Sequence, residues 1–314
     1  MNFHKNFNVK QVVMYLLAIT VIAYGLGAFI LFRTGGNFNK ESKTNYTIDA
    51  TKTLNLEGIN EISVDISSST INIIPEGTGG IKAHLYGDVI ASSNYTKPEL
   101  ECYKSGSTLV IKQVNKTHMS FGFFSSDIKL DVYIPSNYNK DVKLVSSSGD
   151  ININDSKFNK LQCKLSSGKL TLNNINVNTF TYSNSSGDLV ADKLTTKTTT
   201  LDSSSGSINI NMFSGDLKSE SSSGDTTVHY SDFDNNINMH SSSGRVLLKL
   251  PASAHFNLDA SASSGDVTCD FPITVSGKKN DHKLQGTVVN GKNKISIDVS
   301  SGDINITPAL EPVL

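Results

Sequence analysis

The stretch Ser147-Ser148-Gly149-Asp150-Ile151-Asn152-Ile153 returns, with small changes, seven more times before the chain ends. The Ser-Ser-Gly triplets close at Gly149, Gly168, Gly187, Gly206, Gly224, Gly244, Gly265 and Gly302. Their steps are 19, 19, 19, 18, 20, 21 and 37 residues, the last close to two periods. Five of the eight place Asp next: Asp150, Asp188, Asp225, Asp266 and Asp303. Two and four residues after each Gly stand apolar pairs such as Ile151/Ile153, Leu170/Leu172 and Ile304/Ile306. Seven and five residues before it stand Val142/Leu144, Leu161/Cys163 and Ile295/Ile297. Alternation with period two on both sides of a fixed corner predicts two short strands per repeat, each with one buried face.

A unit of about nineteen residues cannot bury its own apolar row, so neighbours must stack. Stacked coils with a shared corner make a β-solenoid, and the fold class expected is all-β. The corner explains the Gly, through positive φ or want of room for a Cβ. The paired Ser side chains can satisfy local backbone groups there. No Pro occurs from residue 136 to 250, as parallel ladders require of strands that donate every N–H. Eight coils at the ladder spacing predict a rod roughly 35–40 Å long.

An earlier copy shows if Ser69 takes the Gly position: Ile62 and Val64 precede it, Ile71 and Ile73 follow, in the same register. Between it and the array the pattern changes. IKAHLYGDV (81–89), ELECYKSGSTLVIKQ (99–113) and DIKLDVYIP (127–135) read as a hairpin and a further strand, antiparallel rather than coiled. Such an elaboration would cap an open sheet edge. The stretch from 272 to 293, where a corner is missing, reads as the cap of the other end, with Gly286 as a degenerate corner.

Residues 12–32, VVMYLLAITVIAYGLGAFILF, carry no charge over 21 positions. At 1.5 Å per residue that is about 31 Å, the thickness of a bilayer core. A cleaved leader would have a shorter apolar region ending in small residues. Ala23-Tyr24-Gly25 offers such a site, yet Phe29-Ile30-Leu31-Phe32 extends well beyond it, so an uncleaved anchor is expected. Lys5 and Lys10 precede the run and Arg33, Lys40 and Lys43 follow it, so charge chooses no orientation. The expected organisation is a tail (1–11), a transmembrane helix (12–33), a flexible linker (34–52), an N-terminal β region (53–135), the solenoid array (136–307) and a C-terminal tail (308–314).

The charges nearly cancel, 28 Lys plus Arg against 29 Asp plus Glu, which removes the footprint of a general nucleic-acid binder. The Asp column invites a calcium reading, but Lys169, Ser207 and Arg245 break it. Asp at a tight turn caps backbone N–H groups. Ser166-Ser167-Gly168-Lys169 matches S-x-x-K as one variant of the repeat, without its partner motifs. His4, His84, His118, His229, His240, His255 and His282 do not cluster at ligand spacing. No G-x-S-x-G, Walker loop or H-E-x-x-H is present. Cys163 and Cys269, five coils apart by sequence, would stand some 24 Å apart, too far for a disulfide. No catalytic, metal or cofactor residue is assigned, and no small-molecule substrate or enzyme activity is expected.

The Ser-Ser-Gly-Asp corner followed by apolar-x-apolar, behind an N-terminal apolar segment, resembles the bacterial putative-adhesin family, whose relatives include head GIN domain proteins. Val132-Tyr133-Ile134-Pro135 ahead of the first corner and the segment 295–306 with its last Ser-Ser-Gly-Asp carry the same likeness. The resemblance implies a β-solenoid outside the cytoplasmic membrane, associated with envelope stress or surface attachment. It supplies no catalytic residues.

The resulting expectation is a membrane-anchored, extracytoplasmic, non-catalytic binding module, an adhesin or envelope scaffold. Its partners beyond the membrane would be a wall polymer, a glycan or an envelope protein, because weak contacts multiply along a repetitive rod. A regulatory partner of a membrane signalling protein and a filament-forming solenoid are the alternatives.

Overall fold

From Ile151 to Ser203 strand pairing continues for 53 residues without a break, winding through nearly three coils. The computed structural model describes residues 9–33, 43–77, 79–91, 95–115, 125–276 and 280–309. Residues 1–8 of the expected tail, 34–42 of the linker and 310–314 of the C-terminal tail lie outside the described residues, and so do His4, Lys5, Lys40 and His118.

Each coil has three sides, where the spacing predicted two strands. In the first, Ile151 and Ile153 are buried on one side, Ser156 and Phe158 on the next, and Leu161, Cys163 and Leu165 on the third. The second side recurs at Ile175/Val177 and Leu194/Thr196. Its mixed composition, with Ser156 and Thr196 facing inward, hides the alternation that marks the other two. The turn into it is made by Asp155, Asn174, Lys193 and Met212, all left-handed at φ 47°, 54°, 55° and 51°. Asp and Asn adopt that region readily; Lys and Met do so only where packing imposes it.

Successive coils pair in parallel at the sequence period. Val142 lies beside Leu161, Leu189 beside Ile208, Ile208 beside Thr226 and Thr226 beside Val246. At the main corner the glycines form a column. A Cβ on Gly206, at φ 115°, would lie 2.1 Å from the Gly187 carbonyl oxygen, so both reasons for glycine hold. Ser69 occupies the foot of the column, fully buried beneath Gly149.

At both ends the order of coils departs from the order of the chain. Glu61–Ile66 lies between Asp141–Ser146 and Thr108–Val114, parallel to both. Thr70–Pro75 is likewise parallel to Ser125–Ile134 and to the start of the array. The strands 108–114 and 125–134 therefore add a partial coil, where antiparallel pairing was expected. Antiparallel strands do close this end: Glu99–Ser105 on Thr108–Val114, Ile81–Ala91 on Ser125–Ile134, and Thr44–Leu54 on Ile81–Ala91. Residues 44–52, read as linker, are thus strand. Ile48 turns inward and is buried while Tyr46 and Ala50 pack beside it, a short alternation inside a polar stretch.

At the far end Asn293–Ser301 inserts between Ile237–Ser243 and Phe256–Ser264, and Ile304–Pro308 between Val246–Leu250 and Val267–Cys269. The last coil in sequence is the penultimate level in space. The 37-residue step contains the connection, in which Lys283–Val288 pairs antiparallel with both Ile273–Val275 and Phe256–Ser264. Gly286 lies in that antiparallel strand, against Ile273, and forms no corner. The insertion also places Cys163 and Cys269 six levels apart rather than five, and none of the three cysteines forms a disulfide.

The core runs the length of the stack. Its upper part is a file of aromatic rings, Phe213–Tyr230, Tyr230–Phe233, Phe233–Phe256 and Phe256–Phe271, meeting edge to face at 4.9, 5.2, 6.3 and 5.3 Å. Such contacts add to simple burial.

Ahead of this body, Val9–Arg33 is a helix of 25 residues. Its described apolar side chains, among them Tyr15, Leu16, Ile19, Ile22, Leu26 and Phe29, are all exposed. Over the described side chains, whose unbroken run is residues 15–27, no helix is long and apolar enough to cross a membrane.

Candidate functional site

The outward side chains of the coils form columns, and hydrogen bonds within those columns show what most of them do. Asp150 Oδ1 accepts the backbone N–H of Lys169 one coil on, at 2.8 Å. Asp188 does the same for Ser207, Asp225 for Arg245 and Asp303 for Asp266. In spatial order the column reads Asp150, Lys169, Asp188, Ser207, Asp225, Arg245, Asp303, Asp266. Every other level up to Asp303 carries the acceptor, and the level above supplies the donor. Below Asp303 the interruptions that weakened the calcium reading therefore alternate with the acceptors and keep carboxylates off adjacent levels, where they would repel; at the top Asp266 follows Asp303 directly. Among the described residues no group of three His, Cys, Asp or Glu could hold a metal ion.

The corner between the second and third sides follows the same logic. Asp216 Oδ1 accepts from the Asn236 N–H at 2.8 Å and Asn236 Oδ1 from the Lys294 N–H at 3.0 Å. Lower down, Asn178 donates to Asn159 at 3.1 Å and Asn159 to Asp141 at 2.7 Å. Among the chain's 31 asparagines, Asn159, Asn178 and Asn236 find their use in such ladders. Two shallow open grooves follow this corner, one bordered by Lys140, Lys157 and Asn176, the other by Thr200, Lys218, Asn238 and Lys294. Sequence reasoning assigned these positions only to solvent. Their alignment into grooves depends on the second side, which residue spacing does not reveal.

The described histidines are exposed or half-buried. His229 Nδ1 lies 3.0 Å from Asn211 Oδ1, and burial together with the nearby Lys249 charge lowers its pKa. His240, Asp298 and Ser261 come together, the three residue types of a hydrolase triad. The order is wrong for one. Ser261 Oγ donates to Asp298 Oδ1 at 2.6 Å, while His240 meets Asp298 Oδ2 at 3.1 Å. The carboxylate stands between hydroxyl and imidazole, so the imidazole has no path to the hydroxyl proton. Cys163 is fully buried, and Cys102 is desolvated to a pKa of about 11 despite the neighbouring Lys52 charge; neither has the character of a nucleophilic thiol.

What the surface can do chemically is present closely spaced amides, hydroxyls and charges of both signs on a rigid frame. Among solved structures, a "putative adhesin" from Bacteroides fragilis matches with 15% identity and a TM-score of 0.50, over 86% of this chain and 99% of that one. A "putative cell adhesion protein" from Clostridium sporogenes matches with 14% identity and a TM-score of 0.30, over 84% and 100%. A "putative lipid binding protein" from Parabacteroides distasonis matches with 17% identity and a TM-score of 0.38, over 82% and 96%. No curated protein matches the chain. The profile of Toastrack DUF4097 matches residues 59–307, the whole stack from its first inserted coil to its last strand, and the chain belongs to that family.

Proposed function

We propose that the protein is a membrane-anchored binding module whose solenoid stands outside the cytoplasmic membrane and holds an envelope component along its outward columns. The observation that carries this is the outward face itself. It is a periodic polar lattice on a rigid frame, where contacts that are weak singly add along one ligand. The adhesin names borne by structures of like fold accord with this reading. For the anchor, the support is the uncharged run 12–32 and a helix whose described apolar side chains are exposed around its whole circumference. In water that surface would be unfavourable, and in a bilayer it is solvated. Antiparallel strands over both ends of the stack argue against end-to-end polymerisation.

Two assays test the proposal together. Protease treatment of intact, wall-stripped cells should remove the 48–314 body, and protection reversed only by lysis would refute the placement. Full-length protein in detergent micelles should bind purified wall polymer or surface glycan saturably at micromolar concentration. Absence of binding to either would refute the binding role.

A further inference from the structure

Through the repeat array the large aromatics turn inward: Phe180, Tyr182, Phe213, Tyr230 and Phe256 are all buried. The N-terminal end differs. On the outward face of its sheet, pairing sets Lys82 beside Tyr133 and His84 beside Asp131. Asn72 lies on the other flank of Asp131 and Asn152 beyond Asn72. Asp131 is only 8% exposed although both its neighbours, Leu130 and Val132, point into the core. A carboxylate so covered on a solvent-facing side must be held by donors. Asn72 Nδ2 donates to it at 2.7 Å and the Tyr133 hydroxyl at 3.5 Å. Tyr86 lies on the same face, and burial followed by the Asp131 charge raises the pKa of both phenols. Asn152 in turn donates to Asn72 at 3.0 Å.

Each ring has one face covered by a neighbour. The His84 ring stacks on Tyr86 at 4.6 Å and is fixed by Asp49 at 2.8 Å. Lys82 Nζ sits 3.9 Å from the centre of the Tyr133 ring and 3.7 Å from Glu76. Two phenol rings thus flank one covered carboxylate, to which Tyr133 is hydrogen-bonded, in a platform where Lys82 is balanced by Glu76 and Asp131 and Asp49 leave the net charge negative.

We propose that this platform is a binding site for a neutral pyranose glycan, whose C–H face stacks on the faces of Tyr86 and Tyr133 opposite His84 and Lys82 and whose hydroxyls meet the adjacent amide and ammonium groups. Several features select that ligand class. Preorganised aromatic faces beside fixed polar groups suit sugar rings, which are apolar on one face and hydroxylated at the rim. The pairing of Lys82 with Glu76, and of Asp131 with neutral donors, leaves no field to attract phosphate or sulfate. The shallow, sheet-borne surface lacks the deep pocket that a peptide anchor residue would fill. The proposal rests on the binding-module reading and names its ligand.

The test titrates the full chain in detergent micelles with chitotetraose, cellotetraose and mannotetraose, with a sialylated trisaccharide as the anionic control. At least one neutral tetraose should bind. Tyr86→Ala and Tyr133→Ala should each weaken it tenfold or more and Asp131→Asn several-fold. Bound sugar should also slow nitration of Tyr86 and Tyr133 in the unaltered chain, a readout that survives if the alanine variants misfold. The proposal is overturned if no neutral tetraose binds, if the anionic sugar is preferred, or if binding leaves both tyrosines equally reactive. A chain that fails here yet still binds wall polymer loses the platform and keeps the broader reading. One that fails with both loses both.

Discussion

Asp188 Oδ1 accepts the backbone N–H of Ser207, one coil above, at 2.8 Å. The bond crosses the ladder, so the residue after the glycine serves the next coil rather than its own. Replacing Asp188 by Ala leaves that N–H without its partner and should cost about 1 kcal/mol. Asp188→Asn retains the acceptor and should cost less than half as much. Urea unfolding of the two variants checks the ordering, and equal losses would contradict the assignment.

The glycine column should be intolerant of a methyl group in proportion to its crowding. At Gly206 a Cβ would lie 2.1 Å from a backbone oxygen, whereas at Gly106, also at positive φ, it would meet nothing within 4 Å. Gly106→Ala should cost about 1 kcal/mol through backbone strain alone. For Gly206→Ala the two coils must part as well, giving roughly 3 kcal/mol or more. Thermal midpoints of the pair separate the two effects.

One position, three residues before the corner, offers a controlled contrast. Ser146 Oγ donates to the Gly149 carbonyl at 2.8 Å and accepts its N–H at 2.9 Å. Ser221 stands at the equivalent place, buried, with its Oγ unpaired within the described protein. Ser146→Ala should destabilise by about 1–2 kcal/mol, and Ser221→Ala should be neutral or stabilising by up to about 1 kcal/mol. Equal losses at the two sites, measured by calorimetry, would disprove the distinction.

Stability should fall in alkali. Burial raises the Cys102 thiol from 9.0 to about 11 and pushes Tyr182 and Tyr230 up as well. A folded pKa above the unfolded one means that the folded state holds the proton more tightly. The Cys102 contribution is therefore complete below pH 9 and is lost as pH rises through about 11. Urea midpoints across that range should decline, and less steeply in Cys102→Ala. Iodoacetamide should modify Cys102 in the folded chain slowly at pH 8, since little thiolate is present.

Much of this was legible from residue spacing. The Gly column, the inward pairs Ile151/Ile153 and Leu161/Cys163, and the place of Ser69 all follow from period-two alternation around a repeated corner. The second side was not legible, because Ser156 and Thr196 face inward there and Lys193 and Met212 make its turn, residue types that carry no local signal for burial or left-handed backbone. The tyrosine platform was hidden for another reason. Lys82, His84, Tyr86, Asp131 and Tyr133 lie on two antiparallel strands nearly fifty residues apart, and only pairing brings them to one face.

The sequence by itself determined the coil: its length, its main corner, two of its inward rows and the small polar residues that clothe it. Those features arise within one period, where alternation and backbone sterics act locally. Tertiary structure alone decided which coil rests on which. Each level offers the next the same apolar rows, the same ladder and the same glycine step, so a strand's own residues scarcely distinguish its possible neighbours. Insertion of Asn293–Ser301 between Ile237–Ser243 and Phe256–Ser264, and of Glu61–Ile66 between Thr108–Val114 and Asp141–Ser146, is settled by chain connection and by the antiparallel strands that close the two ends. A repeat specifies its contacts by kind, and the unique segments at its ends specify their order.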